Sequence, residues 1–385
     1  MQNLRMRDGK ALCLTGVIAS MALASVAMSA PVVQQASGTF DHKATITISG
    51  TGFGTKPTAA PLVWDDATGS NMADKWDGLW PYKGPAGFNL GYYSPMHGVS
   101  PPHSHDSRYI AGAHNGGNWQ TGADVVFFKN IALRTFPFYI YASWYQVAAT
   151  NWVYGGDNNY KTFAYSNCCS PYEMPNNWFT AYGPPHPESS TDSPMWVWTD
   201  DGNSMLTPVD ANGHNAWWGH GVSPMSGKWA KVEVAVKITN QNDGYIRVWE
   251  NGRQVMDYVG STDKYPGTGR TVGIGGFARI AAPENWRYFD DAYLDLSLAR
   301  VVLANNPVLA DATIVEPQIP RTWSATSISA TVNLGKFNSG STAYLFVVDA
   351  SGTPSAKGLP VTAGGGAASQ SGSGAPQPPS SVTVR

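Results

Sequence analysis

Between Trp229 and Tyr258, apolar and polar positions alternate almost without interruption. Val232, Val234, Val236 and Ile238 interleave with Lys231, Glu233, Ala235 and Lys237. This period of two marks a strand with one buried face. Asn242-Asp243-Gly244 breaks the run, after which Ile246 and Val248 alternate with Tyr245, Arg247 and Trp249. Asn251-Gly252 comes next, a pair suited to a type I′ turn because both central residues of that turn need φ > 0. Gln254, Met256 and Tyr258 occupy the return. The pattern predicts three antiparallel strands, with valines on one side and charged or aromatic groups on the other.

The same alternation recurs elsewhere. In Phe138 to Gln146, Phe138, Ile140, Ala142 and Trp144 share one face, and Tyr139, Tyr141, Ser143 and Tyr145 share the other. In MWVWTD, Trp196 and Trp198 point the same way. Ala44, Ile46 and Ile48 alternate into Gly50-Thr51-Gly52, and Tyr288 to Asp295 reads as a closing strand. Helical periodicity is absent, and Gly and Pro are abundant at 41 and 27 residues. The class predicted is all-β, one large domain with a smaller one.

The run from Trp229, with its Asp-Gly break and IRVWENGRQV hairpin, resembles the concanavalin A-like lectin and glucanase sandwiches, laminin-G-like modules included. The resemblance implies a large antiparallel jelly-roll sandwich over residues 64–304. Residues 38–64 resemble the opening of an immunoglobulin-like IPT/TIG domain. The strand and turn pattern of IPRTWSATSISATVNLGKFNSGSTAYLFVVDASGTPS resembles its remainder. Segments 38–63 and 305–363 are therefore expected to be two halves of one small immunoglobulin-like sandwich interrupted by the large one. Two unrelated β-edges packing separately is the other arrangement these flanks allow.

The ends of the sequence have their own composition. Arg5, Arg7 and Lys10 precede an apolar run from Ala11 to Ala27, which reads as a secretory signal peptide over 1–27. The run is short for a membrane span, so export without a membrane anchor is the expectation, to an extracellular or periplasmic location. Residues 364–385 read as a Gly/Ser/Pro-rich linker or tail, whose final SSVTVR resembles the first strand of a fibronectin type III module. Cys168 and Cys169 are adjacent, either a vicinal disulfide or two free thiols, and no cysteine spacing points to zinc. A formal net charge of −2 gives no reason to expect nucleic acid or an anionic membrane as partner.

All but one of the 15 tryptophans fall between Trp64 and Trp286. Flat rings suit the C–H faces of sugars, and their N–H and O–H groups can serve hydroxyls. The ligand-binding candidates are Tyr139, Tyr141, Trp196, Trp198, Glu233, Arg247 and Trp249, which form a groove if their polar-aromatic faces share one concave sheet. The alternative is a solvated face with cross-strand ion pairs such as Glu233–Arg247. Histidines cluster in SPMHGVSPPHSHDSRYIAGAHNGG, so His103, His105 and His114 join Tyr141 and Arg247 as catalytic candidates. Asp200, Asp210 and Asp290 are candidate oxygen ligands for a structural calcium ion.

The chain has only six glutamates, and none makes the paired-carboxylate spacing of the sandwich glucanases. The strand motifs of jelly-roll alginate lyases, the nucleophile elbow, the P-loop and the dinucleotide fingerprint are also missing. Two readings stand. One is a secreted protein that recognises a polysaccharide or surface glycan. The other is a polysaccharide-cleaving enzyme, foremost a lyase on uronate-containing glycans. A lyase needs Arg or Asn to neutralise the carboxylate, and Tyr or His to take the C5 proton. An adhesin or surface structural protein is a third, weaker option.

Overall fold

The computed structural model describes residues 29–365 apart from 81–88, 115–123, 132–136, 151, 153–158, 167–175, 183–194, 201–203, 206–216, 221–226, 261, 263–269 and 278–284. The predicted signal peptide, Cys168, Cys169, Asp210 and most of the tail lie outside the described residues. So do the side chains of Trp196, Trp198 and Asp200, whose backbone is described.

Alternation has become antiparallel sheet throughout. The front sheet holds β3 (Val63–Asp65), β5 (Gly91–Tyr93), β6 (Tyr109–His114), β8 (Phe138–Ala148), β14 (Ala230–Ile238), β15 (Gly244–Glu250), β16 (Arg253–Gly260) and β18 (Asn285–Asp295). Its order is β16-β15-β14-β8-β18-β6-β5, with β3 also on β18. The back sheet holds β4 (Gly78–Trp80), β7 (Asp124–Ile131), β9 (Asn159–Ser166), β10 (Asn176–Tyr182), β11 (Met195–Asp200), β12 (Ser204–Met205), β13 (Trp217–His220) and β17 (Arg270–Phe277). Its order is β12-β11-β10-β9-β17-β7-β4, with β13 on β11. Strands distant in sequence are neighbours in both sheets, as in a large antiparallel jelly-roll sandwich. The described helical segments are two short 3-10 turns, Met72–Asp74 and Leu309–Asp311.

One apolar layer holds the two sheets together. Ile140, Ala142 and Trp144 of β8, Val232, Val234 and Val236 of β14 and Ile246 and Val248 of β15 are fully buried. They belong to one core with Val125, Phe127, Phe163, Val272 and Ile274 of the back sheet. Each such valine or isoleucine contributes about 1.5–3 kcal/mol of burial. The turn between β15 and β16 has Asn251 at φ 49 and Gly252 at φ 75, the geometry the Asn-Gly pair foretold. Gly252 is also needed for room, because a Cβ there would lie 2.2 Å from the Ala312 carbonyl oxygen.

A third sheet joins strands from the two flanks of the sandwich. It runs β1 (Val32–Ser37), β2 (Thr45–Thr51), β21 (Ser327–Thr331), β20 (Val315–Trp323), β19 (Arg300–Ala304), β22 (Thr342–Val348), β23 (Leu359–Thr362). The N-terminal half of β20 pairs with β19 and its C-terminal half with β21, so the sheet turns a corner along this strand. It encloses its own core of Phe40, Ile46, Ile48, Phe53, Val301, Leu303, Ile328, Leu345 and Val347. This terminal unit lies on the outer face of the front sheet.

Candidate functional site

The outer face of the front sheet carries the side chains that alternate with the valines, and it has two environments. In the middle, Tyr141, Tyr145 and Tyr293 are fully buried, and Lys231 and Glu233 nearly so. The Tyr141 hydroxyl donates to Glu233 Oε2 at 2.6 Å. The Tyr145 hydroxyl donates to Glu316 Oε1, and Lys231 Nζ donates to Glu316 Oε2 at 2.6 Å. Glu316 stands on β20 of the terminal unit. Asn333 Nδ2 donates to Asp291 Oδ2 at 3.0 Å, and Lys56 pairs with Asp295 at 2.6 Å with both side chains buried.

This corrects the expected groove. Tyr141 is a docking residue under the terminal unit, and burial followed by the Glu233 charge raises its pKa well above the usual phenol value. A phenol held in that way is no base at neutral pH, so Tyr141 is set aside as a catalytic candidate. Topology removes a second premise, because β11, which carries Trp196 and Trp198, belongs to the back sheet while Arg247 and Trp249 belong to the front sheet. The four residues therefore do not share one sheet. The expected Glu233–Arg247 pair is not formed either. Arg247 stands opposite Ala235, with Trp249 opposite Glu233, and Arg247 Nε bonds Asp257 Oδ1 at 3.1 Å.

At the β14–β16 end the covering is incomplete and leaves a cavity of about 300 Å³. Glu233, Tyr245, Arg247, Trp249 and Gln254 form one wall, Leu298 and Arg300 another, and Ser351, Gly352 and Pro354 close it from the terminal unit. Tyr245, Arg247 and Trp249 are each half-buried. The Arg247 guanidinium lies over the Tyr245 ring at 4.5 Å, and that of Arg300 over Tyr141 at 4.1 Å. Arg300 donates from Nη1 to the Leu298 carbonyl at 2.9 Å, while its buried Nε has no hydrogen-bond partner among the described residues. Two guanidinium groups, one carboxylate and two ring faces therefore converge on one space. Tyr139 is half-buried in the neighbouring packing and does not line the cavity.

Glu233, Arg247 and Trp249 were legible as site candidates from alternation. Arg300 was not. It opens the first strand after the sandwich, and no periodicity relates it to β15.

A second constellation sits where the loop between β5 and β6 meets the turn between β1 and β2. His103 Nε2 lies 3.3 Å from Asp291 Oδ2, and both side chains are buried. His103 stacks on His105 with ring centroids 5.4 Å apart, and His105 lies against His42 at 3.9 Å. His105 Nε2 is 3.6 Å from Asp106 Oδ1. Asp291 has φ 47, a left-handed conformation unusual for a non-glycine residue, at a bulge in the pairing of β18 with β8. Asp290 beside it is fully buried.

Charge is crowded here. Burial and then Asp291 push the Asp106 carboxyl up to about 7. Burial, then Asp291 and Asp106, raise Asp290 well above the carboxylate range. Asp291 goes the other way: burial pushes it up, but His103, Asn333 and Lys231 together hold it below the usual carboxylate value. Burial, then His42 and His103, lowers His105 to about 4.

Sequence grouped His103 and His105 correctly and missed His42, which arrives from the terminal unit. His114 does not join them. It is buried at the end of β6 with its ring edge-on to Trp152 at 5.3 Å. Of the expected calcium ligands, only the Asp290 side chain is described, and it neighbours this cluster.

No family model matches the chain, its flanks included, and no curated protein matches it. Among solved structures the chain is similar to an endo-β-1,4-glucuronan lyase from the fungus Trichoderma reesei, at 12% identity and a TM-score of 0.38 over 62% of this chain and 97% of that one. It is similar to alginate lyase Aly36B at 10% identity and a TM-score of 0.37, covering 62% and 98%. It is also similar to a Bacillus licheniformis β-glucanase at 9% identity and a TM-score of 0.33, covering 62% and 99%. At such TM-scores the architecture rests on the strand pairing of this chain itself.

Proposed function

We propose that the protein recognises a glycan, and that the cavity beside Trp249 holds it. The observation that carries this reading is the convergence of Tyr245, Trp249, Arg247, Arg300 and Glu233 on one half-open space. Ring faces accept the apolar faces of a sugar, and the guanidinium groups offer planar forks to hydroxyls or to a carboxylate. A volume of about 300 Å³ lies at the small end of ligand pockets. It suits a short saccharide or a chain end rather than a long stretch of polymer. Tyr141, the tyrosine expected from the sequence as a base, is buried against Glu233 and does not open onto the cavity. Export belongs to the same reading and rests on the apolar leader, and mass spectrometry of the exported chain tests it by showing whether residues 1–27 are absent.

Titration calorimetry against neutral and uronate-containing oligosaccharides tests the glycan reading. Trp249→Ala should weaken the bound saccharide by about 10- to 100-fold, the effect of losing about 1–3 kcal/mol of aromatic anchor, with the melting temperature unchanged. No binding by the native protein to any saccharide of the panel, or equal binding by Trp249→Ala, would remove the reading.

A further inference from the structure

The cluster at the unit boundary takes no part in the saccharide reading and has its own chemistry. His42, His105 and Asp106 bring one ligand atom each to within 4.8 Å of one another. A divalent ion bonded to nitrogen and carboxylate oxygen at about 2.0–2.2 Å needs donors about 3–3.5 Å apart, so small side-chain rotations close the set. The His105–Asp106 separation of 3.6 Å is nearly there already. The Leu334 amide lies 3.4 Å from His42 Nδ1, at the outer limit of a hydrogen bond. Ligation by His42 gives up this weak bond, because a neutral ring whose Nδ1 accepts carries its proton on Nε2.

Two buried polar atoms of the cluster have no hydrogen-bond partner among the described residues. Asp106 Oδ2 is buried without a hydrogen-bond partner among the described residues, on a side chain only 8% exposed. His103, whose side chain is fully buried against His105, leaves Nδ1 unpartnered in the same way. Buried polar atoms are almost always satisfied, and each orphan costs about 1–3 kcal/mol.

We propose that His42, His105 and Asp106 bind one divalent transition-metal ion of the zinc class, which fastens the terminal unit to the sandwich. The donor set decides the class. Two imidazole nitrogens with one carboxylate suit zinc and its first-row neighbours, whereas calcium takes oxygen ligands throughout. The position of the donors decides the role. His42 comes from the β1–β2 turn, and His105 and Asp106 come from the loop before β6, so a bound ion bridges the two units. His103 and Asp291 stand behind the ligands and hold the loop.

The test uses the full exported chain, stripped with a chelator and titrated with Zn²⁺ alone and with Ca²⁺ alone by calorimetry and thermal melting. Zn²⁺ should bind one per chain and raise the melting temperature by several degrees, as an ion at about 100 times its dissociation constant does. Ca²⁺ should do neither. His42→Ala, on a half-exposed turn, should lose the one-per-chain binding and the zinc-dependent rise while melting like the stripped native protein. His105→Ala should do the same. His97→Ala, in the same loop but bonded to the Tyr288 hydroxyl at 2.9 Å, should keep both. Absence of stoichiometric Zn²⁺ binding, or binding that survives His42→Ala and His105→Ala, overturns the proposal. Loss of binding in His97→Ala with retention in the other two overturns it as well.

Discussion

The two halves of the front sheet's outer face are built from the same kinds of side chain and meet different ends. In the middle, Tyr141, Tyr145, Lys231 and Glu233 are sealed under the terminal unit, each polar atom tied to a neighbour across the boundary or on the sheet. Toward β15 and β16, Tyr245, Arg247 and Trp249 stay half-exposed around a cavity, and Arg247 pairs with an exposed carboxylate. The difference is one of cover. Glu316 and Asn333 reach the middle of the sheet, whereas the segment around Ser351 to Pro354 only overhangs its edge. A polar-aromatic row on a strand is therefore equally suited to docking a second unit and to holding a ligand.

The comparison breaks most sharply at Glu316. This buried carboxylate accepts from Tyr145, Lys231 and the Lys336 amide. Glu316→Ala leaves Lys231 buried without its counter-ion and should cost about 3–5 kcal/mol, read as a lower urea midpoint. A change below about 1 kcal/mol would mean that the middle of the face is not sealed. Tyr141→Phe removes a hydrogen bond to a nearly buried carboxylate and should cost about 1.5–3 kcal/mol. Its saccharide affinity should stay within about twofold of the native value, because Tyr141 does not line the cavity.

A pH series sharpens the same contrast through Lys56 and Asp295. Burial raises the Asp295 carboxyl despite the pull of Lys56, and burial lowers the Lys56 ammonium despite the pull of Asp295. A raised carboxyl pKa means that the native state holds the proton more tightly, so stability falls as pH rises from about 4 through the folded value. A lowered ammonium pKa means that the native state holds its proton less tightly, so stability returns as pH climbs from the folded value toward about 10.5. Urea midpoints should therefore sag at neutral pH relative to the double variant Lys56→Met/Asp295→Leu, and parallel curves would contradict the assignment. The smallest effect belongs to the open end. Asp257→Asn removes an ion pair whose side chains are 41% and 50% exposed, and exposed pairs are worth about 0–1 kcal/mol. The urea midpoint should hardly move.

Much of this fold was legible in the chain. The valines of β14 and β15, the Asn251-Gly252 turn and the alternation in β8 are local signals, and each settles which face of a strand is buried in the sandwich. What covers the other face is not a local property. Lys231 and Glu316 are far apart in sequence, and nothing near Lys231 announces that its partner will come from β20. His42 was missed for the same reason. A lone histidine on a turn acquires meaning only when folding carries the turn to His105. Trp196 and Trp198 were joined to Trp249 on the premise that their alternating faces share one sheet, and strand order divides the strands between two sheets. Arg300 was passed over because its neighbours read as a closing strand.

Hydroxyl-radical footprinting of the native protein, with and without a bound saccharide, tests most directly that this face is divided between docking and binding. In the free protein, Trp249 and Tyr245 should be labelled while Tyr141 and Tyr145 stay protected, and adding the saccharide should protect Trp249 and Tyr245 alone. Labelling of Tyr141 and Tyr145 in the free protein, or saccharide protection that leaves Trp249 and Tyr245 as reactive as before, would contradict it.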